Sequence, residues 1–195
     1  MCQPRPHTIP NPSPDADPPA PEKFQVSWKT TVSGHQESDI VLEIIRDWSP
    51  KGADRFYQLV TDNYYDCAAF FRVVPNFVVQ FGIASDPPET RKWDTRIPDD
   101  PVTQSNTYGT LTFATSGPGT RTSQLFINLA DNDFLDNQGF SPIGRVVQGM
   151  DVVEAIYNPT PNDSGGVNQN YYEYKGNPWL LQSYPNVDLI QGLPQ

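Results

Sequence analysis

The 195-residue sequence has few of the side chains that metal sites and nucleophilic active sites need. Its two histidines and two cysteines cannot supply the clustered ligands of a transition-metal site. A serine nucleophile would lack a histidine partner, because one histidine lies in a proline-rich tail and the other in a hairpin turn. No glycine-rich phosphate loop is present. These absences exclude the usual hydrolase, metalloenzyme and nucleotide-binding signatures, and we expect no metal and no cofactor.

Basic charge and long apolar runs are scarce as well. The chain has 13 Lys and Arg against 23 Asp and Glu, which gives a net charge of −10. The basic residues are scattered, whereas a nucleic-acid interface needs them clustered. No apolar run approaches the roughly 20 residues that a membrane-spanning helix requires. We therefore expect neither nucleic acid nor membrane as a partner.

Proline dominates residues 1–22, which predicts a disordered or polyproline-like tail. Cys2 lies in this tail, and Cys67 is predicted to be a small buried hydrophobic residue. Two cysteines do not make a disulfide scaffold. The first residues also lack the basic and apolar segments of a secretory signal. Cytoplasmic location is therefore the default expectation, with a secreted or organellar mature form left open.

Short apolar segments predict a mainly β domain with two helices. Strands are predicted at 23–32, 39–46, 70–82 (two strands bent at Pro75-Asn76), 109–114, 124–129 and 143–147. A first helix should begin at Ser49-Pro50, with Ser49 as its N-cap, and a second should span 149–157. Residues 83–108 and 158–178 are predicted loops. This pattern favours an antiparallel barrel over residues 23–175, with residues 176–195 as an extension packed on it.

The segment 70–82 is the most apolar part of the chain, yet it contains Arg72 and Gln80. An unpaired buried charge is costly, so the arginine needs an explanation. One alternative is an ion pair with an acidic residue such as Glu43. The other is that Arg72 lines a pocket and acts on a ligand.

Glutamines and aromatic residues recur together on two predicted strands. Gln124 and Phe126 are two residues apart, as are Val78 and Gln80, so each pair shares one face. Such a mixed face is typical of a binding pocket, where apolar walls hold a ligand and a few polar groups orient it. The acidic stretch 131–136 superficially resembles a calcium loop, but it lacks the glycine and terminal glutamate of an EF-hand and is interpreted as a polar turn.

The segment Phe71–Gly82, FRVVPNFVVQFG, resembles the signature of cyclophilin-type peptidyl-prolyl cis-trans isomerases. Segments 109–114, 122–128, 134–136 and 144–153 match the family in the same order, and 138–142 with 176–179 resemble a divergent branch found in bacteria and algae. The resemblance covers about residues 24 to 157. It implies a closed eight-stranded antiparallel barrel capped by two α-helices, with the active groove on its outer face.

The resemblance also implies roles for individual residues. It makes Arg72 the catalytic arginine and groups Gln80 with it as catalytic. Gln80 and Gln124 would orient Arg72 and the peptide, so that Gln80 or Gln124 should hold the guanidinium. The implied substrate-binding residues are Phe77, Val78, Ala114, Thr115, Gln124, Phe126, Phe134 and Phe140. Among them, Phe77, Val78 and Phe126 would form the proline pocket, and Ala114 and Thr115 would bind the residue before proline.

The sequence departs from the best-known members at four of these positions. Val78 stands where methionine is common, Thr115 where asparagine is common and Phe134 where many members have tryptophan. Phe140 lies near the position of a histidine, in a loop that is one residue longer. The missing indole N–H at Phe134 should weaken cyclosporin-type inhibitors more than catalysis. An alternative for Phe134 and Phe140 is that they only anchor their loop to the barrel.

Three functions follow as hypotheses. The first is a monomeric isomerase of Xaa-Pro bonds in peptides or unfolded protein clients, which assists folding. The second is a proline-peptide binding module with little turnover. The third is an assembly protein that uses the 83–108 loop or the C-terminal extension as its main surface.

Overall fold

The structure, a computed structural model, describes residues 2–10, 12 and 19–192. Within these residues one seven-stranded sheet carries the fold. Its strands are β1 (Lys23–Lys29), β2 (Asp39–Ile45), β3 (Arg72–Val74), β4 (Val78–Phe81), β5 (Thr110–Phe113), β6 (Leu125–Asn128) and β7 (Pro142–Gln148). The helices are α1 (Pro50–Thr61), α2 (Pro87–Trp93), α3 (Met150–Glu154) and α4 (Gln169–Ser183), with 3-10 turns at Arg46–Trp48 and Asp133–Gln138.

The sheet has the order β1-β2-β7-β5-β6-β4-β3, and every neighbouring pair is antiparallel. The predicted mainly β antiparallel architecture is therefore confirmed. On β2 the residues Ile40, Leu42 and Ile44 are fully buried, while the residues between them are partly exposed. This alternation is the sequence pattern that predicted the strand, since successive side chains of a strand point to opposite faces.

A C-terminal segment, residues 188–191, lies between the two edges of the sheet. The carbonyl of Leu189 accepts a hydrogen bond from the amide of Thr31, which follows β1. The amide of Ile190 donates to the carbonyl of Ala68, ahead of β3, at 2.9 Å. The segment therefore bonds to chain portions that flank the two edge strands.

The side chain of Asp100 holds the N-terminus of α1. Its carboxylate accepts hydrogen bonds from the backbone amide of Gly52 at 2.9 Å and from the hydroxyl of Ser49 at 2.7 Å. Ser49 occupies the N-cap position, as predicted, although its own side chain caps no amide. Arg121 also donates to Asp100, at 2.9 Å, and both side chains are almost fully buried.

Replacing Asp100 by asparagine should destabilise the fold by about 3 kcal/mol, because it removes the buried carboxylate to which the buried Arg121 donates a hydrogen bond. Burial alone would raise the pKa of Asp100, but hydrogen bonds from Ser49, Gly52 and Arg121 lower that pKa below the ordinary 3.8. The stabilisation is therefore present above pH 3.8 and lost as the pH falls below it through the lower, folded-state pKa. Urea unfolding of wild type and D100N at pH 7 and at acidic pH measures this. The exposed carboxylate of Asp47 supplies the control, D47N, and an equal loss in both variants would contradict the prediction.

Two helices occupy segments that were predicted to be loops. Helix α2 lies in the 83–108 excursion, with prolines at its first two positions, where no backbone N–H is needed. Its last residue, Trp93, is fully buried and donates its indole N–H to Asp62 at 2.9 Å. Helix α4 covers the second half of the predicted 158–178 loop and is broken at Gly176, which has φ 65. The predicted boundary at 175/176 thus falls at this break. Among the described residues, no helix is long and apolar enough to cross a bilayer.

Cys2 and Cys67 form a disulfide that joins residues 65 positions apart. The sequence alone did not predict this bond. The placement of Cys2 in a disordered tail is wrong, whereas the predicted burial of Cys67 is confirmed. Proline content misled the prediction, because a chain without regular structure can still be held by side-chain bonds.

Further contacts attach the same N-terminal segment to the body. The guanidinium of Arg5 makes two hydrogen bonds of 2.7 Å to the carboxylate of Asp66. The amides of Thr8 and Ile9 both donate to the buried carboxylate of Asp62 at 2.6 Å, and the Ile9 side chain packs against the main core. The predicted disorder is therefore wrong for residues 2–10, whereas residues 1, 11 and 13–18 of the predicted tail lie outside the described part of the chain.

Candidate active site

The candidate site begins at the hairpin of β3 and β4, which turns at Pro75-Asn76. Asn76 has φ 57, a left-handed conformation in which asparagine is enriched. In this hairpin Arg72 lies opposite Gln80, and Gln80 lies opposite Phe126 of β6. Directly opposed residues of neighbouring strands share one face of the sheet. The three side chains therefore form a row.

Contacts on two sides hold the guanidinium of Arg72 at the end of this row. Its Nε donates to the carbonyl oxygen of Ser164 at 2.7 Å, and its Nη1 donates to Oε1 of Gln80 at 3.1 Å. The guanidinium carbon lies 5.9 Å from the ring centroid of Phe77. Burial lowers the pKa of Arg72, but a guanidinium stays protonated in proteins. The site therefore contains a positioned positive charge.

The alternative explanation of Arg72, an ion pair with Glu43, is wrong. Glu43 instead accepts a hydrogen bond from Arg145 at 3.0 Å and lies 3.9 Å from the ammonium of Lys23. The predicted contact between Gln80 and the guanidinium of Arg72 is present. Among the described residues, the hydrogen-bond acceptors of Arg72 are both uncharged, so its positive charge is not neutralised by direct contact.

Behind Arg72 the hydrogen bonds continue through two glutamine side chains. Nε2 of Gln80 donates to Oε1 of Gln124 at 2.9 Å, and Nε2 of Gln124 donates to the carboxylate of Glu173 at 3.3 Å. Burial raises the pKa of Glu173, and the nearby Asp94 raises it further. We call this series, Arg72–Gln80–Gln124–Glu173, the amide relay.

An apolar wall faces the guanidinium across a groove of about 330 Å³. Val78, Phe126 and Leu135 form a small buried cluster of their own, separate from the main core. The ring of Phe140 packs edge-on against Phe126, with centroids 5.7 Å apart. The groove is lined by Arg72, Phe77, Val78, Gln80, Ala114, Thr115, Ser116, Thr120, Thr122, Gln124, Phe126, Leu135, Phe140 and Gln169. Apolar walls with a few polar groups suit a small ligand or a peptide side chain.

Comparison with known proteins assigns the family. The model of the family described as "Cyclophilin type peptidyl-prolyl cis-trans isomerase/CLD" matches residues 28–172, most of the chain. The chain belongs to this cyclophilin family. The resemblance first found in the Phe71–Gly82 segment is thereby confirmed.

Individual relatives agree with the family model. This cyclophilin is 37% identical over 138 residues to a peptidyl-prolyl cis-trans isomerase of Acinetobacter baylyi, covering 68% of this chain and 73% of the relative. It is 30% identical over 178 residues to peptidyl-prolyl cis-trans isomerase A of Dickeya dadantii, covering 82% and 88%. The crystal structure of a Cryptosporidium parvum cyclophilin matches with a TM-score of 0.61 at 20% identity, over 88% of this chain and 99% of that one. The last likeness supports the fold.

The groove of this cyclophilin brings together every site residue suggested by the sequence except Phe134. The Phe134 ring is 51% exposed and stacks on Phe77 with centroids 6.0 Å apart, outside the groove lining. Its neighbour Leu135 lines the groove instead. The 3-10 turn Asp133–Gln138 decides which of the two apolar residues points inward, and the sequence carries no periodic signal for that choice.

Sequence reasoning also missed polar residues of the groove rim. Thr120 lines the groove, and its hydroxyl oxygen lies 2.8 Å from that of Thr115. The amide of Ser116 donates to the same Thr120 oxygen at 2.8 Å, and the amide of Ala114 donates to the carbonyl of Gln124 at 2.9 Å. The loop after β5 is therefore braced beside the relay.

One group of metal-ligand types occurs among residues 2–10, 12 and 19–192, and it lies outside the groove. His7, Asp62 and Glu89 place one possible ligand atom each within 4.8 Å of one another. The ammonium of Lys92 lies 2.8 Å from Asp62 and 2.5 Å from Glu89, so a cationic side chain already lies against both carboxylates. The cluster is better explained as an ion-pair attachment of the N-terminal segment.

The acidic stretch 131–136 braces a neighbouring loop. Asp136 accepts hydrogen bonds from the hydroxyl of Ser105 at 2.6 Å and from the side-chain amide of Asn106 at 2.7 Å. Asp131 accepts one from the backbone amide of Tyr108 at 2.9 Å. These bonds support the interpretation of this stretch as a polar turn.

Proposed function

We propose that this cyclophilin accelerates isomerisation of Xaa-Pro bonds by presenting the guanidinium of Arg72 to the nitrogen of a substrate proline. The uncatalysed reaction crosses a barrier of roughly 18–20 kcal/mol, which amide resonance sets. In the twisted amide this resonance is lost, and the nitrogen lone pair becomes able to accept a hydrogen bond. A donor waiting there stabilises the transition state more than the planar ground state, which is the condition for catalysis.

The observation that carries this proposal is the placement of Arg72 by Gln80 and by the Ser164 carbonyl. These two bonds occupy two of the five N–H donors of a planar group, which leaves others for a substrate. Because both acceptors are neutral, the charge of Arg72 remains available. A positioned donor avoids the reorganisation that a mobile side chain or water would need during the reaction.

The apolar wall supplies the second part of the mechanism. Phe77, Val78 and Phe126 hold the proline ring, with Phe140 closing the pocket. The carbonyl before proline then rotates while the ring stays fixed. A twisted amide is less dipolar than a planar one, so an apolar environment favours it. The loop that begins at Ala114 and Thr115 binds the residue before proline.

A protease-coupled assay on an Xaa-Pro peptide tests the function. We expect the wild-type protein to accelerate the cis-to-trans step well above the uncatalysed rate. A fluorescence titration with a non-cleavable Xaa-Pro peptide runs in parallel. Saturable binding combined with an uncatalysed rate would contradict the enzyme and support the binding-module hypothesis.

We also propose that the sheet closes into an eight-stranded barrel, with residues 188–191 as the closing strand. The hydrogen bonds of Leu189 to Thr31 and of Ile190 to Ala68 support this, because they connect chain portions beside β1 and β3. Amide hydrogen exchange tests it: the amides of Thr31 and Ile190 should be as protected as those inside β2. Rapid exchange at both would contradict closure.

Cyclosporin-type inhibitors should bind weakly, because Phe134 offers no indole N–H. The ring is exposed and stacks on Phe77 without lining the groove, so Phe134→Trp is expected to fold normally. We predict that F134W binds cyclosporin about tenfold more tightly, the value of one added hydrogen bond, with kcat/KM for a peptide within about twofold of wild type. Calorimetric titration measures the affinity. An unchanged dissociation constant in F134W would contradict the prediction.

The substrates proposed are proline-containing peptides and unfolded protein clients, bound by a monomer. Light scattering of the purified protein tests the oligomeric state. The disulfide between Cys2 and Cys67 supports the secreted or organellar form over the cytoplasmic default, because disulfides persist in oxidising compartments. Alkylation of the protein in its native cells followed by mass spectrometry tests this, and two free thiols would contradict it.

A further inference from the structure

The hydrogen bonds of the amide relay all run in one donor-to-acceptor direction, which the groups at its two ends determine. A guanidinium only donates hydrogen bonds and an ionised carboxylate only accepts them, whereas an amide side chain does both. Arg72 donates to Gln80, Gln80 donates to Gln124, and Gln124 donates to Glu173. Every bond of the relay therefore points away from Arg72 and toward Glu173.

Rotating either amide by half a turn would disrupt this order. A reversed Gln124 would direct its carbonyl at the carboxylate of Glu173, and its NH2 group would meet the NH2 group of Gln80. A reversed Gln80 would direct its NH2 group at the guanidinium of Arg72, so that two donors would face each other. Arg72 would then retain the Ser164 carbonyl as its remaining acceptor. The position of Arg72 thus depends on the orientation of both amides.

Helix α4 gives Glu173 a well-defined position. The preceding residue, Tyr172, is fully buried, and its hydroxyl oxygen accepts the backbone amide of Ala69 at 3.1 Å. Gly176 is three residues after Glu173. A side chain added at Gly176 would lie 2.7 Å from the backbone carbonyl of Ser85, so the helix is in close contact with that segment as well. Glu173 lies between these two anchors. It follows directly after the last residue matched by the family model, residue 172.

We propose that Glu173 is a positioning residue for the isomerase reaction: as a pure acceptor it fixes the orientation of Gln124 and Gln80 and thereby holds Arg72 in place. It does so without touching the guanidinium. Two neutral amides separate the carboxylate from Arg72, so the arginine is positioned while its charge remains free for the substrate. This inference rests on the proposed role of Arg72.

Three substitutions of Glu173 distinguish the loss of a hydrogen-bond acceptor from a change in side-chain size or charge. Lysine only donates, leucine does neither, and glutamine can still present a carbonyl oxygen. We expect Glu173→Lys to lower kcat about tenfold and Glu173→Leu about threefold, with KM near the wild-type value, because a displaced Arg72 loses a charge-assisted bond made in the transition state. Glu173→Gln should stay within about twofold of wild type. Glu37→Lys, at an exposed position remote from the groove, controls for the change in net charge.

Two further measurements distinguish positioning from a general structural role. In a double-mutant cycle, Glu173→Leu should have almost no additional effect once Gln80→Ala has interrupted the relay. In 15N-resolved NMR spectra, the side-chain amide signals of Gln80 and Gln124 and the Nε–H signal of Arg72 should shift in Glu173→Leu but not in Glu37→Lys. Thermal unfolding of each variant verifies that it is folded.

The outcomes for Glu173 and for Arg72 are separable. If Arg72→Ala abolishes acceleration while Glu173→Lys and Glu173→Leu keep the wild-type kcat, the positioning role is wrong and the proposed function stands. Equal losses for glutamine and lysine at position 173 would also overturn it, because acceptor capacity would then be irrelevant. If Arg72→Ala retains full activity, the proposed mechanism itself fails.

Discussion

Arg72→Ala should lower kcat for an Xaa-Pro peptide by about 100-fold or more, the usual cost of removing one preorganised donor from a transition state. KM should change much less, because the apolar wall that binds the proline ring remains intact. The fold should also tolerate the change. Arg72 makes hydrogen bonds to Gln80 and Ser164. Gln80 borders the groove and Ser164 is exposed, so water can replace Arg72 at both acceptors.

The matched control is Arg145→Ala. Arg145 is an exposed arginine on β7 that pairs with Glu43, away from the groove, so its removal should leave kcat near wild type. Arg72→Lys keeps the charge but loses the planar array of donors, and we expect it to recover only a small part of the activity. Equal rates for wild type and Arg72→Ala would refute the mechanism while leaving the fold and the family unaffected.

The part of the site that the sequence predicts well is the part built from short-range geometry. Arg72 and Gln80 are eight residues apart around one turn, so pairing the two strands of a hairpin is enough to place them face to face. Alternation along β4 sets Val78 and Gln80 on the same face, and the pairing of β4 with β6 adds Phe126 to that face. The contacts within the hairpin follow from the period of two in a strand, whereas the contact with Phe126 also requires the pairing of β4 with β6.

The residues that complete the site come from segments without such a period. Ser164 and Glu173 reach Arg72 and Gln124 from a region predicted to be a polar loop. Ser164 lies among small and polar residues, and Glu173 has a tyrosine on each side, so neither segment has a one-sided apolar pattern that indicates which side faces the barrel. Their placement depends on tertiary contacts, such as the buried Tyr172, which only the folded chain provides.

The predictions that rested on proline content were wrong at two places, where bonds to distant residues fix the chain. Two consecutive prolines suggested an irregular excursion, yet they start α2, because the first helical positions need no amide donor. The proline-rich start of the chain suggested disorder, yet Arg5 and Cys2 attach it to the body. In both places the deciding partner lies more than 25 residues away, on the 62–67 segment.

The disulfide between Cys2 and Cys67 leads to the second large expected effect. Reducing it should lower the free energy of unfolding by about 4 kcal/mol, since it closes a loop of 65 residues whose freedom in the unfolded chain it restricts. Part of the loss should also come from residues 2–10, because the disulfide holds the Arg5–Asp66 pair together: Arg5 is three residues after Cys2, and Asp66 is the residue before Cys67. Activity should survive, because neither cysteine lines the groove.

The variant Cys2→Ala is the control for this prediction, because it cannot form the disulfide. Urea unfolding with and without a reducing agent should show a large drop in the midpoint for wild type and none for C2A, which has no disulfide to lose. Oxidised wild type should also unfold with a smaller dependence on urea than C2A, because a cross-linked unfolded chain exposes less surface. If reduction leaves the wild-type midpoint unchanged, the disulfide contributes nothing to stability and the prediction is wrong. C2A shows whether activity needs the disulfide. If C2A is folded and active but reduction abolishes the activity of the wild type at the same temperature, the reducing agent acts by some route other than this bond.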